Sequence, residues 1–198
     1  MKERLSQAKT RRQAIQWAQS LLFEDPPAVV VDFETTGVDE QAEIVQAAVI
    51  NAKGAVVLNT LVKPSQPIPP EAARVHGISD DAVANAPTFV QAYVQLSQAL
   101  AGTVAVAYNA DFDRRILQQT CARYGLPLIK PRRWECAMLN YAAYHGELSH
   151  RGGFRWHKLT EAAFQQGIPI ENAHDALGDI RMTLALIQKM ARGEPYTR

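Results

Sequence analysis

Two acidic side chains follow a run of valines in the segment VVVDFET, at Asp32 and Glu34. Side chains alternate along a β-strand, so these two acids share one face and Val29, Val31 and Phe33 share the other. At a rise of about 3.3 Å per residue, the Cα atoms of the two acids lie about 6.6 Å apart. Carboxylates this close beside an apolar strand repel each other, and divalent cations, which bind carboxylate oxygens, would relieve the repulsion. The alternative is an edge strand with two solvated acids.

The residues that follow the strand favour a cation site over two solvated acids. Thr35-Thr36-Gly37 ends the strand at once and leaves both acids at its C-terminal end, where α/β sheets hold their sites. A second element, AYNADFDRRIL (107–117), follows a β-run and opens a helix, with Asp111 and Asp113 at the junction. One of these acids can cap the helix, and the residues alone do not decide which.

A third element is HDALGDIRMT (174–183). On an ideal helix His174 and Asp179 would point about 140° apart, because successive residues rotate at 3.6 per turn. They can share a site only if His174 belongs to the loop that precedes the helix. Asp175 is predicted to be the N-cap of that helix.

The elements that must position these residues form an alternating pattern. We predict a helix over 5–23, strands over 28–35, 43–50 and 55–62, and a structured proline-rich loop over 64–80. A helix, a strand at 103–108 and a second helix follow, then a short strand running into a helix at 134–144 and two final helices. The short connections between the first three strands favour antiparallel pairing. The fold class is therefore α/β, with a mixed sheet flanked by helices.

Composition sets the broad class of protein. The chain has 198 residues and is 47% hydrophobic, which suits one ordinary globular domain. A formal net charge of +1 excludes a histone-like polycation but allows a locally basic cleft. Cys121 and Cys136 have no metal-ligand or disulfide spacing, which indicates a reducing compartment. The sequence shows no membrane-spanning run and no signal-peptide core, so we expect a cytoplasmic protein without a membrane partner.

The three acidic segments, in this order and spacing, resemble the motifs of the DEDDh exonucleases, the group that contains the proofreading epsilon subunits of bacterial DNA polymerase III. The matching segments are DFETTG (32–37), YNADFD (108–113) and H-x4-D (174–179), and PIPPEAARVHGISDDAVANAPTF (67–89) is also similar to epsilon-type exonucleases. The resemblance implies a ribonuclease-H-like fold, two Mg²⁺ or Mn²⁺ ions and 3′→5′ release of nucleoside monophosphates. It further implies that the metal-binding acids are Asp32, Glu34, Asp113 and Asp179, and that His174 is the general base. Because it selects Asp113 for the metal, we predict that Asp111 caps the helix.

The sequence departs from the epsilon pattern in two places. Tyr108 stands where epsilon-like proteins usually have a histidine, and we expect little effect on the chemistry. The sequence ends at Arg198, shortly after the last helix, without the C-terminal tail by which epsilon-type subunits bind a polymerase. We therefore expect a stand-alone exonuclease, with an N-terminal helical extension at 1–27, an exonuclease domain at 28–192 and a tail at 193–198. The N-terminal helix is predicted to pack on the domain, and a nucleic-acid contact through its arginines is the alternative.

The substrate-binding candidates lie in three places. Thr35, Thr36 and Gly37 could seat the terminal nucleotide, because glycine allows close approach of the backbone. The loop that leads to the third motif interleaves basic residues with Phe154 and Trp156, which could stack unpaired bases. The candidates are Thr35, Thr36, Gly37, Asn109, Arg155 and Lys158. His76 is interpreted as a turn or packing residue.

Three functions compete. The first is a DNA 3′→5′ exonuclease that acts in repair or proofreading, with single-stranded DNA or frayed 3′ ends as its nucleic-acid partner. The second is an RNA-trimming exonuclease of the ribonuclease T or oligoribonuclease kind, which the epsilon-like proline-rich segment disfavours. The third is an inactive nucleic-acid-binding module, which the presence of all four acids disfavours.

Overall fold

The structure is a computed structural model that describes residues 2–23, 25, 28–150, 152–170 and 174–194, with side chains from residue 10 onward. Within these ranges the chain forms a five-stranded mixed sheet in the order β3-β2-β1-β4-β5. The strands are β1 (Ala28–Thr35), β2 (Ile44–Asn51), β3 (Val56–Leu61), β4 (Val104–Ala107) and β5 (Arg133–Cys136). The predicted antiparallel start is confirmed, since β2 pairs antiparallel with both β1 and β3. Strands β1, β4 and β5 run parallel to one another.

Helices cover both faces of the sheet. They are α1 (Lys2–Leu22), α2 (Pro70–His76), α3 (Asp80–Val83), α4 (Phe89–Leu100), α5 (Ala110–Arg123), α6 (Ala137–His145), α7 (Leu159–Gln165) and α8 (Ala176–Arg192). Val29, Val31 and Phe33 pack in one core with residues of α4 and α5. Val30 packs in the other core with residues of α1, α6, α7 and α8. The predicted alternation along β1 is confirmed, and the acids belong to the α8 side.

Helix α1 packs against α6 and α8, as predicted for the N-terminal segment. Ala14, Ala18 and Leu21 are buried in the core on that side. The Trp17 indole donates a hydrogen bond of 2.9 Å to the Glu135 carboxylate. The Arg11 guanidinium lies 4.0 Å above the Tyr144 ring, so this arginine takes part in docking the helix.

Two local predictions are wrong. The segment 64–80, predicted as a loop, contains α2, because Pro70 occupies the first helical position, where a proline is tolerated. Asp111 does not cap α5: the helix begins at Ala110 after an N-cap at Asn109, so Asp111 lies in the first turn. Its carboxylate instead pairs with Arg114 at 3.1 Å.

In the described part of the chain, the helices are too short or too polar to cross a lipid bilayer.

Candidate active site

Strand β1 carries two of the predicted acids into the site. Asp32 and Glu34 pair in register with Ala48 and Gln46 of β2, and a register shift after Glu34 ends the regular ladder. The carboxylates of Asp32, Glu34 and Asp179 offer oxygens that all lie within 4.8 Å of one another. The acids of the first and third motifs, 145 residues apart between Glu34 and Asp179, therefore meet at the C-terminal end of β1.

Helix α5 brings the fourth acid to the same place. The side chain of Asp113 is buried, with 2% of the residue exposed, and the backbone N–H of Phe33 donates a hydrogen bond to its carboxylate. Strand β4 pairs with β1 only over Ala28–Val30, so the Phe33 N–H lies beyond that ladder and can bond the side chain. The Oδ1 atom of Asp113 is buried and has no hydrogen-bond partner among the described residues.

His174 lies before α8, as the rotation argument required. The helix begins at Ala176 with Asp175 as its N-cap, whose side chain accepts a hydrogen bond from the Gly178 N–H; this prediction is confirmed. His174 has a φ of +66°, a left-handed conformation that is uncommon for residues other than glycine. Its backbone N–H donates to Asp179 Oδ1 at 3.3 Å, while its side chain is exposed. The turn thus joins the predicted base to a predicted metal-binding acid.

Gln46 fixes α8 to the sheet, a role that the sequence analysis missed. Its amide nitrogen donates to Asp175 Oδ1 at 2.9 Å, and its amide oxygen accepts from the Ala176 N–H at 3.2 Å. Gln46 is directly opposite Glu34 in the ladder. A buried glutamine inside an otherwise apolar strand, EIVQAAVI, was the available signal, because buried polar side chains need partners.

The acids act on one another electrostatically. Burial, followed by the charges of Asp113 and Glu34, raises the pKa of Asp32 well above its ordinary value. Burial and the charge of Asp179 raise the pKa of Glu34 to about 8. Burial raises the pKa of Asp113 to about 7 despite the hydrogen bond from Phe33, and burial also raises the pKa of Asp179. Near neutral pH the metal-free folded protein therefore keeps protons on some of these carboxyls that the unfolded chain would release.

These residues fit divalent cations. The donor set is oxygen only, which Mg²⁺ and Mn²⁺ prefer. The buried Oδ1 atom of Asp113 has no hydrogen-bond partner among the described residues, and the raised pKa values reflect burial and, for Asp32, the neighbouring carboxylates. Added positive charge at this point would remove both penalties.

The loop after β1 is held by its own hydrogen bonds. The Thr35 hydroxyl donates to the Gly37 carbonyl at 2.7 Å, and the Thr36 hydroxyl accepts from the Glu43 N–H at 2.9 Å. The Thr35 carbonyl also lies 3.2 Å from His76 Nε2, while His76 Nδ1 accepts from the Ile78 N–H. His76 is the last residue of α2, and its ring contacts the C-terminal end of β1, so the packing role offered for it is met and the turn role is not. Asn109, the N-cap of α5, is exposed.

The two basic candidates differ in their surroundings. Arg155 donates to Glu147 at 2.8 Å and to Glu161 at 3.2 Å, so local carboxylates already pair with its charge. Lys158 is the exposed N-cap residue of α7. Arg151, another basic residue of the loop that leads to the third motif, lies outside the described residues. The roles of Arg155 and Lys158 in substrate binding stay predictions.

Carboxylates from the central strand and from two helices, gathered at one end of a mixed 3-2-1-4-5 sheet, define a metal-dependent nuclease of the ribonuclease-H-like class. Residues 29–187 match the Exonuclease family, also called the RNase T family, and the chain belongs to that family. The predicted relationship to the epsilon-type exonucleases and the predicted fold class are confirmed.

Two sequence relatives illustrate the family. The chain is 43% identical over 171 residues to the uncharacterized exonuclease CP81 of Escherichia phage 186, covering 83% of this chain and 88% of the phage protein. It is 29% identical over 163 residues to the DNA polymerase III subunit epsilon of Treponema pallidum, covering 80% of this chain and 74% of that subunit.

Solved structures show the same fold. Exonuclease X in complex with 5′-overhanging duplex DNA has a TM-score of 0.64 at 24% identity and covers 83% of this chain and 91% of its own. A 3′-exonuclease in specific recognition of a histone mRNA stem-loop has a TM-score of 0.69 at 17% identity and covers 84% of this chain and 64% of its own.

Proposed function

We propose that this protein is a 3′→5′ exonuclease that hydrolyses DNA from its 3′ end and releases nucleoside monophosphates. The observation that carries the proposal is the convergence of Asp32, Glu34 and Asp179, with the buried and unsatisfied Asp113, beside the exposed His174. An acidic cluster of this kind suits phosphodiester hydrolysis assisted by two cations.

The four acids would hold two divalent cations, Mg²⁺ or Mn²⁺. Bound there, the cations would polarise the phosphodiester, make a water acidic and stabilise the departing 3′ oxygen. Asp32, central to the cluster and influenced by each of the other three acids, is the residue we assign to both cation positions. Glu34 and Asp179 complete one position and Asp113 the other.

His174 is the proposed general base. Its exposed ring stands at the rim of the cluster, tied through its backbone N–H to Asp179. A neutral imidazole can accept a proton from the attacking water. The left-handed turn and the Asp175 cap keep the residue outside the helix, where its ring can reach the substrate side.

The substrate that we propose is single-stranded DNA or a frayed 3′ end. The relationship to DNA polymerase III epsilon and the fold shared with exonuclease X in its DNA complex support DNA. The fold shared with the histone mRNA 3′-exonuclease keeps RNA as the alternative. Thr35, Thr36, Gly37 and Asn109 would seat the terminal nucleotide, and Arg155 and Lys158 would approach its phosphates.

We further propose that the exonuclease unit extends over 28–192 and acts without a stable polymerase partner. The alignment along most of a separate phage exonuclease supports this organisation. The N-terminal helix then serves to complete the core on the α8 side, since Ala14 and Ala18 are buried there.

The test compares three substrates labelled at the 5′ end: single-stranded DNA, single-stranded RNA and a duplex with a 3′ mismatch, each with Mg²⁺ and with Mn²⁺. We expect a ladder that shortens from the 3′ end, faster cleavage of DNA than of RNA, and no activity in EDTA. Asp113→Asn serves as the inactive control. Activity that persists in EDTA, or cuts in a circular single strand, would contradict the mechanism; faster cleavage of RNA would replace the DNA assignment.

The grip on the substrate has a separate test. Lys158→Ala should raise the KM for single-stranded DNA and reduce the salt dependence of binding, with a smaller effect on kcat. Lys53→Ala is the matched control, because Lys53 is also exposed but lies in the β2–β3 turn at the opposite end of the sheet. Equal KM values for the two variants would remove Lys158 from the substrate path.

A further inference from the structure

A second cluster of metal-binding side chains lies away from the acids, at the end of α6 and in the loop that leads to α7. His145 Nδ1, Glu147 Oε2 and His157 Nε2 all lie within 4.8 Å of one another. The Glu147 oxygen is 4.0 Å from His145 Nδ1 and 3.8 Å from His157 Nε2. The two imidazole centroids are 4.5 Å apart. This group is called the imidazole cluster below.

The tautomer of His157 leaves a donor atom without a partner. His157 is fully buried at its side chain, and its Nδ1 lies 3.0 Å from the Glu161 carboxylate. Nδ1 also lies 3.3 Å from the Gln165 side-chain amide nitrogen, a longer contact than the one with Glu161. With the Nδ1 proton assigned to the Glu161 contact, Nε2 presents a lone pair. That atom is buried and has no hydrogen-bond partner among the described residues. It faces the oxygen of a second carboxylate at 3.8 Å, which is too long for a hydrogen bond even if Nε2 were protonated.

We propose that His145, Glu147 and His157 bind one divalent cation of intermediate softness, with Zn²⁺ as the best match. Two imidazole nitrogens with one carboxylate oxygen are a known zinc donor set, whereas Mg²⁺ and Ca²⁺ favour oxygen ligands. Ligands bound at about 2.0–2.1 Å to a tetrahedral zinc lie roughly 3.4 Å apart. The Glu147 oxygen, at 4.0 Å and 3.8 Å from the two nitrogens, would have to move roughly 0.5 Å closer to each to reach that geometry, and a water would complete the coordination.

The surroundings of the cluster match those of metal sites. A carboxylate that accepts the second N–H of a metal-binding histidine orients the ring, and Glu161 does so for His157. Arg155 bridges Glu147 and Glu161 through its two terminal nitrogens and leaves Glu147 Oε2 directed at the histidines.

A cation here would pin the loop between α6 and α7. Gly146 ends α6 in the left-handed conformation and turns the chain so that Glu147 faces the histidines. The pinned loop carries the exposed residues Trp156 and Lys158. The His157 carbonyl accepts a hydrogen bond of 2.8 Å from the Tyr108 hydroxyl, at the β4–α5 junction next to Asn109. The site would therefore hold this loop in a fixed position relative to the second motif.

The test is metal stoichiometry, with Mg²⁺ in excess to saturate the acids. EDTA-treated protein is equilibrated with buffered Zn²⁺, and bound zinc is measured by elemental analysis. Wild type and Asp32→Asn should retain one zinc, whereas Glu147→Gln and His157→Gln should lose it. His150→Gln is the matched control, because His150 is an exposed histidine of the same loop, and it should keep the zinc.

A spectroscopic measurement on wild type covers the possibility that a buried variant misfolds. Co²⁺ in place of Zn²⁺ should give the strong visible absorption of a four- or five-coordinate site with nitrogen ligands, unaffected by excess Mg²⁺. Absence of that absorption, together with no retained zinc, would overturn the proposal in favour of a protonated His157 between the two carboxylates. Retention of zinc by folded Glu147→Gln and His157→Gln would also overturn it. Neither outcome affects the exonuclease proposal, which rests on the acids.

Discussion

The acidic cluster and the imidazole cluster differ in how the charges of their side chains are compensated by neighbouring groups. Among the described residues, every charged neighbour that shifts the pKa of Asp32 or Glu34 is another carboxylate. At the imidazole cluster, Arg155 pairs with both Glu147 and Glu161. The hydrogen bond from Arg155 lowers the pKa of Glu147, and the hydrogen bond from His157, followed by the charge of Arg155, lowers the pKa of Glu161. The first cluster is therefore electrostatically incomplete in the metal-free protein, while the second is close to balanced.

This difference indicates what each cluster is built to hold. Four acids whose negative charge is at most partly compensated attract hard cations strongly. The bound cations can then contact a negatively charged substrate. Neutral imidazoles beside a single carboxylate oxygen accept one softer cation without attracting a phosphate. The first arrangement suits chemistry, and the second suits the fixing of a loop.

The largest expected effect comes from breaking the acidic cluster at Asp113. Asp113→Asn keeps an oxygen that can accept the hydrogen bond from Phe33 but removes one negative charge. We expect kcat to fall by about 10³-fold or more, because the site loses a cation ligand. Steady-state rates with labelled single-stranded DNA measure the loss. If the kcat of Asp113→Asn remains within about tenfold of wild type, Asp113 is not an essential cation ligand.

The base gives the next effect. His174→Gln should lower kcat by about 10²–10⁴-fold, the usual contribution of a positioned general base. Because the side chain is exposed and contributes no metal ligand in this scheme, the affinity for Mn²⁺ should be unchanged in a calorimetric titration. Near wild-type kcat with both cations bound would contradict the base assignment. Loss of a cation together with activity would instead make His174 a ligand.

The electrostatic contrast itself predicts how stability depends on pH. The folded-state pKa values of the acids are raised, to about 7 for Asp113 and about 8 for Glu34, so the folded protein binds more protons than the unfolded chain. Stability then falls as pH rises from about 4 to about 8. In EDTA, the melting temperature should fall between about pH 6 and pH 8, where ordinary carboxylates no longer titrate.

The fall of the melting temperature with rising pH should come from the acidic cluster. Excess Mg²⁺ should flatten it by compensating the charges, and Asp113→Asn should reduce it while raising the melting temperature of the metal-free protein. Glu71→Gln should leave the slope unchanged, because Glu71 is an exposed residue of α2 outside the acidic cluster. A metal-free melting temperature that is level over this pH range would mean that the acids are not held charged against one another.

The sequence predicted the acidic cluster well because its parts are local. Asp32 and Glu34 follow from strand alternation, and the need for His174 to precede the helix followed from the helical rotation. Asp113 was distinguished from Asp111 by the resemblance, and the capping role given to Asp111 was wrong. A shift of one or two residues in the start of α5 decides that role, and sequence patterns define helix starts only to that precision.

The imidazole cluster and the part played by Gln46 could not be predicted in the same way. His145 and His157 are separated by a loop, and they meet because Leu148 pairs with Phe154 and folds the loop back on itself. Gln46 acts on α8, whose N-cap is 129 residues further along the chain. Such contacts depend on long-range topology rather than on residue type or spacing.

The smallest expected effect concerns Tyr108, which connects the two regions. Its hydroxyl donates to the His157 carbonyl, so Tyr108→Phe should cost about 1 kcal/mol of folding stability, the usual net value of one hydrogen bond. Because Tyr108 contributes no charge to either cluster, kcat should change by less than about threefold, and a rise in KM would indicate that the loop position matters for substrate binding. Tyr108→His, the residue usual in epsilon-like proteins, is the matched variant. Chemical denaturation and steady-state kinetics on both variants measure these effects. A large loss of kcat in Tyr108→Phe with normal folding would mean that the two regions are coupled in catalysis. The imidazole cluster would then do more than fix a loop.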